Sequence, residues 1–368
     1  MNAAQDLHQL GQSLWLDNIT RALLDSGTLA RYIGEFAISG LTSNPTIFEH
    51  AIRDSSDYDQ VIQEKVAKGR SGETLFFELA LEDLMRAADL LRPTHAASAG
   101  IDGWVSLEVS PMLAHDAAGT VYEAAQLHAR ARRDNLLIKI PGTPAGLVAI
   151  EQSIFAGVPV NVTLLFSREQ YLAAAEAYMR GIERRIALGL DPKVSSVASI
   201  FISRWDVAVN RKVPAELVNQ LGIAIARRTY RAYRELLVSP RWRKLSEAGA
   251  GPQRLLWAST GTKDPQAADT LYVQALAAPD TINTLPEKTL LALVAHGKVN
   301  GIMSAEGGDA EKVLLAFAAA GIDSAALAEQ LQREGTASFS QSWRDLLALI
   351  ASKGVPPGKA EFGRRTRL

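Results

Sequence analysis

A chain of 368 residues, 47% of them hydrophobic, can bury a large core, and its formal net charge of -1 lacks the positive excess of a nucleic-acid or anionic-membrane binder. The absence of cysteine excludes disulfides, thiolate metal sites and cysteine nucleophiles, and fits a reducing compartment. The N-terminal "MNAAQDLHQLGQSLWLD" has no basic start followed by an apolar core, and no apolar run approaches the ~18 residues that span a bilayer, so neither export nor membrane insertion is expected.

Short β-rich runs recur in chain order: "SLWLD" (13–17), "FAISGLT" (36–42), "GWVSLEVS" (103–110), "NLLIKI" (135–140), "VPVNVTLLF" (158–166), "SSVASIFIS" (195–203), "RLLWAST" (254–260) and "DTINTL" (280–285). Most are separated by stretches in which apolar residues return every three or four positions, such as "YEAAQLHARARRD" and "REQYLAAAEAYMRGIERRIALG". Strand-helix alternation implies parallel strands, because a parallel partner requires a crossover. Eight candidate strands predict an α/β fold closed as a (β/α)8 barrel, with an open doubly wound sheet as the alternative.

A single barrel domain is expected over residues 1–368, with a helical insertion over about 45–100, C-terminal helices over about 286–352 and a basic tail over 353–368. Within the insertion, Phe76, Ala80, Leu84, Ala88 and Leu91 form one apolar stripe, Glu73 falls in the first turn and Pro93 is expected to stop the helix.

In a parallel barrel, chemistry collects at the carboxyl ends of the strands. Asp17 ends the first run, Asn44 follows the second, Glu108 lies late in the third and Lys139 stands two residues before Pro141. Asn161 and Thr163 share a face of the fifth run, as do Ser199 and Phe201 of the sixth, and Ser259 ends the seventh. Lys139 shares its face with Leu137, and a lysine turned inward there has its ammonium desolvated, which favours the neutral, nucleophilic amine. The alternative is a strand-end lysine that reaches solvent or grips a phosphate.

Four separated segments, "GLTSNPTIF" (40–48), "NLLIKIPGTPAG" (135–146), "VNVTLLFS" (160–167) and "TLPEKTL" (284–290), together resemble transaldolase motifs of the longer bacterial form. The resemblance implies a cytosolic (β/α)8 enzyme of the pentose phosphate pathway that acts on sugar phosphates without a metal or organic cofactor, as a monomer or homodimer, with neither nucleic acid nor membrane as partner. It implies that Lys139 attacks the C2 carbonyl of a ketose phosphate and forms an imine. Asp17 would take the C4 hydroxyl proton as the C3–C4 bond breaks, and Glu108 would act as acid and base through a water held with Thr163. Asn44, Asn161 and Ser199 would contact the hydroxyls of the substrate or its three-carbon fragment, and Arg204 and Ser259 the phosphate.

Each of these residues has a plainer alternative. Asp17 could cap the helix beginning "NITRALL", Glu108 could be an exposed strand-end carboxylate, Asn44 could serve the turn before Pro45, and Arg204 could face solvent beside Asp206. Where many transaldolases carry an arginine two residues after the serine, this chain reads Ser259-Thr260-Gly261-Thr262-Lys263, and Lys263 is the expected substitute. The resemblance associates transfer with Glu and Phe at the positions of Glu108 and Phe201, and free aldolases with Gln and Tyr. The histidines, His8, His50, His95, His115, His128 and His296, lack metal-site spacing and read as structural or solvated.

Overall fold

The computed structural model describes residues 2–355. Eight parallel strands close into a barrel in sequence order: β1 (Ser13–Asp17), β2 (Ile38–Thr42), β3 (Trp104–Glu108), β4 (Leu136–Pro141), β5 (Val160–Leu165), β6 (Ser196–Phe201), β7 (Gln253–Ala258) and β8 (Ile282–Leu285). Each overlaps one of the eight expected runs, and β1 pairing with β8 removes both edges, which rules out the open sheet.

Alternation along the strands divides the side chains between two environments. Leu14, Leu16, Ile138, Ile140, Val160 and Val162 join the apolar layer beneath the surrounding helices. Trp15, Leu137, Val197, Leu256 and Ile282 belong to a second cluster that fills the barrel. Trp15 is wholly buried, and a Cβ at position 40 would lie 2.5 Å from its indole, so only glycine on β2 leaves room for that ring. Below this layer, Asp102 accepts from Ser13 Oγ at 2.6 Å and pairs with Arg254 Nη1 at 3.2 Å. Above it, the carboxyl ends of the strands carry the polar residues.

Three helices, Pro45–Arg53, Asp59–Ala67 and Gly72–Ala97, lie between β2 and β3. Phe76, Ala80, Leu84, Ala88 and Leu91 of the third are all buried, as their spacing predicts. Pro93, however, does not end that helix, which continues to Ala97. The carbonyl that loses its partner belongs to exposed Asp89, four residues earlier, where solvent can satisfy it.

After β8 come helices Glu287–His296, Ala310–Ala319 and a 30-residue helix, Ser324–Lys353. This last helix is tied to the barrel and to the helices after β2. Gln332 Nε2 donates to the carbonyls of Gly142 and Leu164, both at 3.0 Å. Thr46 Oγ1 meets Ser342 Oγ at 2.8 Å, Trp343 Nε1 donates to Glu73 at 2.9 Å, and Lys353 Nζ reaches Ser55 O and Asp59. Trp343 packs edge-on to Phe76 at 4.9 Å between ring centroids. The expected tail lies, from residue 356 onward, outside the described residues. Among the described residues no single helix is long and apolar enough to cross a membrane.

Candidate active site

Strand register brings the polar residues to one level. Asp17 pairs with Thr42 across β1 and β2, Glu108 with Lys139 across β3 and β4, and Lys139 with Asn161 across β4 and β5. A cavity of about 230 Å³ opens at this level, lined by Asp17, Asn44, Lys139, Ser199, Phe201, Arg204, Ser259 and Lys263 among others. Larger hollows occur elsewhere, including one of about 550 Å³ at the opposite end of the barrel around Arg254. There the guanidinium is already committed to Ile101 O, Asp102, Ser13 Oγ and Thr281 O, so it has little left to offer a ligand.

Lys139 is 5% exposed. Its Nζ donates to the Ser43 carbonyl at 3.3 Å and stands 3.4 Å from Glu108 Oε2, an ion-pair distance. The side chain therefore does not run out to solvent. Glu108 is itself buried at 5% exposure. Burial pushes its carboxyl pKa up, opposed by the Lys139 charge and reinforced by the negative charge of Asp17. Asp17 accepts from Thr42 Oγ1 at 2.7 Å and does not cap the next helix, a task performed by Thr20. Burial also raises the Asp17 pKa, against the opposing pull of Lys139, the Thr42 hydrogen bond and Lys263. Two carboxyls whose pKa burial raises, beside one amine, are suited to hold and pass on protons.

Asn161 lies behind the cavity wall, fully buried, its Nδ2 donating to Ser106 Oγ at 3.1 Å and its Oδ1 accepting from Ser199 Oγ at 2.7 Å. Thr163 is also fully buried, and among the described residues its Oγ1 has no hydrogen-bond partner. Asn44 lines the cavity while its Oδ1 caps the helix Pro45–Arg53 by accepting from Ile47 N at 3.0 Å, so the turn role and the cavity position coincide.

Arg204 is not paired with Asp206, whose carboxylate accepts from Leu221 N, Gly222 N and Tyr272 Oη. The Arg204 guanidinium lies over the rings of Phe201 and Phe339, 5.0 and 5.7 Å from their centroids. Ser259 falls just beyond β7 in a left-handed conformation (φ 57°), with its hydroxyl 2.9 Å from that of Ser203. Lys263 reaches the cavity rim from the following loop.

Several members of the site escaped the sequence reading. Thr42 and Thr284, whose hydroxyls meet at 2.6 Å, share a face with Gly40 and Ile282, so alternation alone could have marked them. His50 lines the cavity from the helix after Asn44 although its side chain is largely exposed. Phe339 stands 296 positions beyond Ser43 and reaches Lys139 only through the fold, its ring centroid 5.9 Å from Nζ.

A closed parallel barrel whose strand ends bring a buried lysine and the carboxyl of Asp17 to one cavity, with Glu108 beside the amine, defines a (β/α)8 enzyme. Residues 14–350 match the family described as Transaldolase/Fructose-6-phosphate aldolase, and the chain belongs to that family. It is 45% identical to a transaldolase of Arthrobacter sp. (strain FB24) over 352 residues, covering 93% of this chain and 95% of that protein. It is 44% identical to a transaldolase of Thiobacillus denitrificans over 358 residues, covering 95% of this chain and all of the other. A transaldolase of Saccharopolyspora erythraea is 43% identical over 351 residues, 94% of this chain and 95% of its own length. These relatives support an enzyme of the transaldolase family.

Proposed function

We propose that the enzyme transfers a dihydroxyacetone unit from sedoheptulose 7-phosphate to glyceraldehyde 3-phosphate, giving erythrose 4-phosphate and fructose 6-phosphate, as a transaldolase of the pentose phosphate pathway. The observation that carries the reading is the Lys139 amine, buried 3.4 Å from Glu108 and facing the same cavity as Asp17.

The Lys139 amine attacks the C2 carbonyl, and loss of the carbinolamine hydroxyl as water leaves a protonated imine. Glu108, beside Nζ, supplies the proton to that leaving hydroxyl and later activates the water that hydrolyses the imine. Asp17 takes the C4 hydroxyl proton. The C3–C4 electron pair then flows into the imine, the aldose leaves, and an enamine of three carbons remains on Lys139. Its C3 attacks the acceptor aldehyde while Asp17 returns the proton. Thr163, whose buried hydroxyl has no partner among the described residues, is suited to hold the water that Glu108 works through. Asn161, fixed by Ser106, orients Ser199 at the cavity wall, and Asn44 and Ser199 offer hydrogen bonds to the hydroxyls of the bound unit. Arg204, Ser259 and Lys263 form the phosphate end.

The family description also includes an aldolase, which releases the three-carbon unit to water. Glu108 and Phe201 support transfer, because an apolar ring beside the cavity gives the enamine no hydroxylic proton donor at that position. The test is reduction with borohydride in the presence of fructose 6-phosphate, followed by peptide mapping. A stable adduct on the peptide containing Lys139 is expected, and its absence there would overturn the imine mechanism.

A further inference from the structure

We propose that Gly335, on the helix Ser324–Lys353, is a positioning residue for Arg204, and that its missing side chain shapes the phosphate end of the cavity. The inference rests on the assignment of Arg204 to phosphate made above.

Arg204 is only partly exposed, and its guanidinium is held by ring faces. Among the described residues no carboxylate stands within ion-pair distance of it, although the charges of Glu108 and Glu334 act on it from farther away. A guanidinium gripped through its π-face keeps its N–H edge for an anion. Where that edge points depends on what packs against it. A Cβ on Gly335 would lie 3.0 Å from Arg204 Nη1 and 2.8 Å from Leu164 Cδ2.

Backbone geometry does not explain the glycine. Position 335 lies inside a long helix without positive φ, where propensity favours alanine. The helix cannot retreat from an added methyl, because Gln332, one turn earlier, fastens it to the carbonyls of Gly142 and Leu164. Both contacts are with the far ends of side chains. Leu164 occupies a left-handed conformation (φ 58°) at the point where the β5–β6 register shifts, so the bulge sets its Cα–Cβ direction while its terminal methyl can still turn aside. The tip of the arginine is the other neighbour that must move. The face of the helix presented to the strand ends thus carries an amide that fixes its height, a gap that admits Arg204, and, four residues on, the Phe339 ring that holds the guanidinium.

The test is Gly335→Ala, assayed with glyceraldehyde 3-phosphate and with unphosphorylated glyceraldehyde as acceptors. The expected result is a KM for the phosphorylated acceptor raised about tenfold, with kcat held within about twofold and the KM for glyceraldehyde unchanged. Inhibition by inorganic phosphate should weaken in parallel, while the variant stays folded at the assay temperature. Equal losses with both acceptors, no change with either, or an unfolded variant would overturn the proposal, since each would mean that Arg204 does not absorb the methyl. Failure of the parent enzyme to form the borohydride adduct at Lys139 would instead remove the functional reading. A normal adduct with an unaltered KM in Gly335→Ala would remove the positioning role alone.

Discussion

Glu108 and Lys139 are direct partners in the β3–β4 ladder, and the carboxyl and amine meet 3.4 Å apart with each residue 5% exposed. Neighbouring strands are about 4.8 Å apart, so two inward residues in register must touch or nearly touch. The contact therefore follows from register rather than from a flexible encounter of long side chains. Glu108→Gln keeps the shape but withdraws the proton carrier and leaves the amine without its counter-charge. Turnover is expected to fall by about 10²- to 10⁴-fold, the range for loss of a general acid and base. Rapid-quench borohydride trapping should show slower imine formation, which a purely structural effect would not single out.

Asp17 gives a different signature. Asp17→Asn cannot take the C4 hydroxyl proton, yet it leaves Lys139 and Glu108 in place. Borohydride with fructose 6-phosphate should therefore trap the whole donor on Lys139 instead of the three-carbon unit, and intact-protein mass distinguishes the two. A three-carbon adduct at the usual rate would remove Asp17 from the cleavage step.

The same substitution makes a prediction about pH. The folded-state pKa of Asp17 is raised above its ordinary value of 3.8, chiefly by burial, so the folded protein binds this proton more tightly than the unfolded chain. Its contribution to stability is fully present below 3.8 and is lost as pH rises through the higher folded value. Asp17→Asn should consequently raise the melting temperature at pH 8 relative to the parent, with the gain shrinking toward pH 4. An equal shift at both values would mean that ionisation of Asp17 carries no such cost.

The sequence makes the strand ends legible because two constraints coincide there. Alternation fixes which side of a strand a residue takes, and the barrel fixes which end holds the chemistry. Asp17, Glu108, Lys139 and Ser199 could be ordered in this way. Distances could not, because register between strands separated by whole helices depends on packing around the entire closed barrel. Phe339 and Gln332 show the larger gap: both sit in a helix whose local pattern says only that it is amphipathic, and their partners lie 135 or more positions earlier. Pro93 shows that a breaker residue acts according to the exposure of the carbonyl it orphans, which local sequence does not report.

Phe201 is 6% exposed, packs against Phe166 with centroids 5.3 Å apart and supports the Arg204 guanidinium. Phe201→Tyr places a hydroxyl in this wall, where it can donate a proton to the enamine or hold a water near it. The ratio of fructose 6-phosphate cleavage to transfer is expected to rise. Parallel assays of released three-carbon product and of transfer check this, and an unchanged ratio would detach Phe201 from partitioning.

The end of the barrel opposite the Lys139 level should respond in stability rather than in catalysis. Asp102 accepts from Ser13 Oγ at 2.6 Å and from Trp15 Nε1 at 3.3 Å, and it pairs with buried Arg254. Asp102→Ala leaves a buried guanidinium uncompensated, a change that costs about 3–5 kcal/mol where such pairs are broken. Denaturant unfolding should register a loss of that order, moderated by the carbonyls of Ile101 and Thr281 that Arg254 retains. Trp15 lies in the packed layer between this pair and the Lys139 level, so the folded fraction should keep its kcat. A fall in kcat measured on fully folded protein would mean that the two ends of the barrel are coupled through that layer.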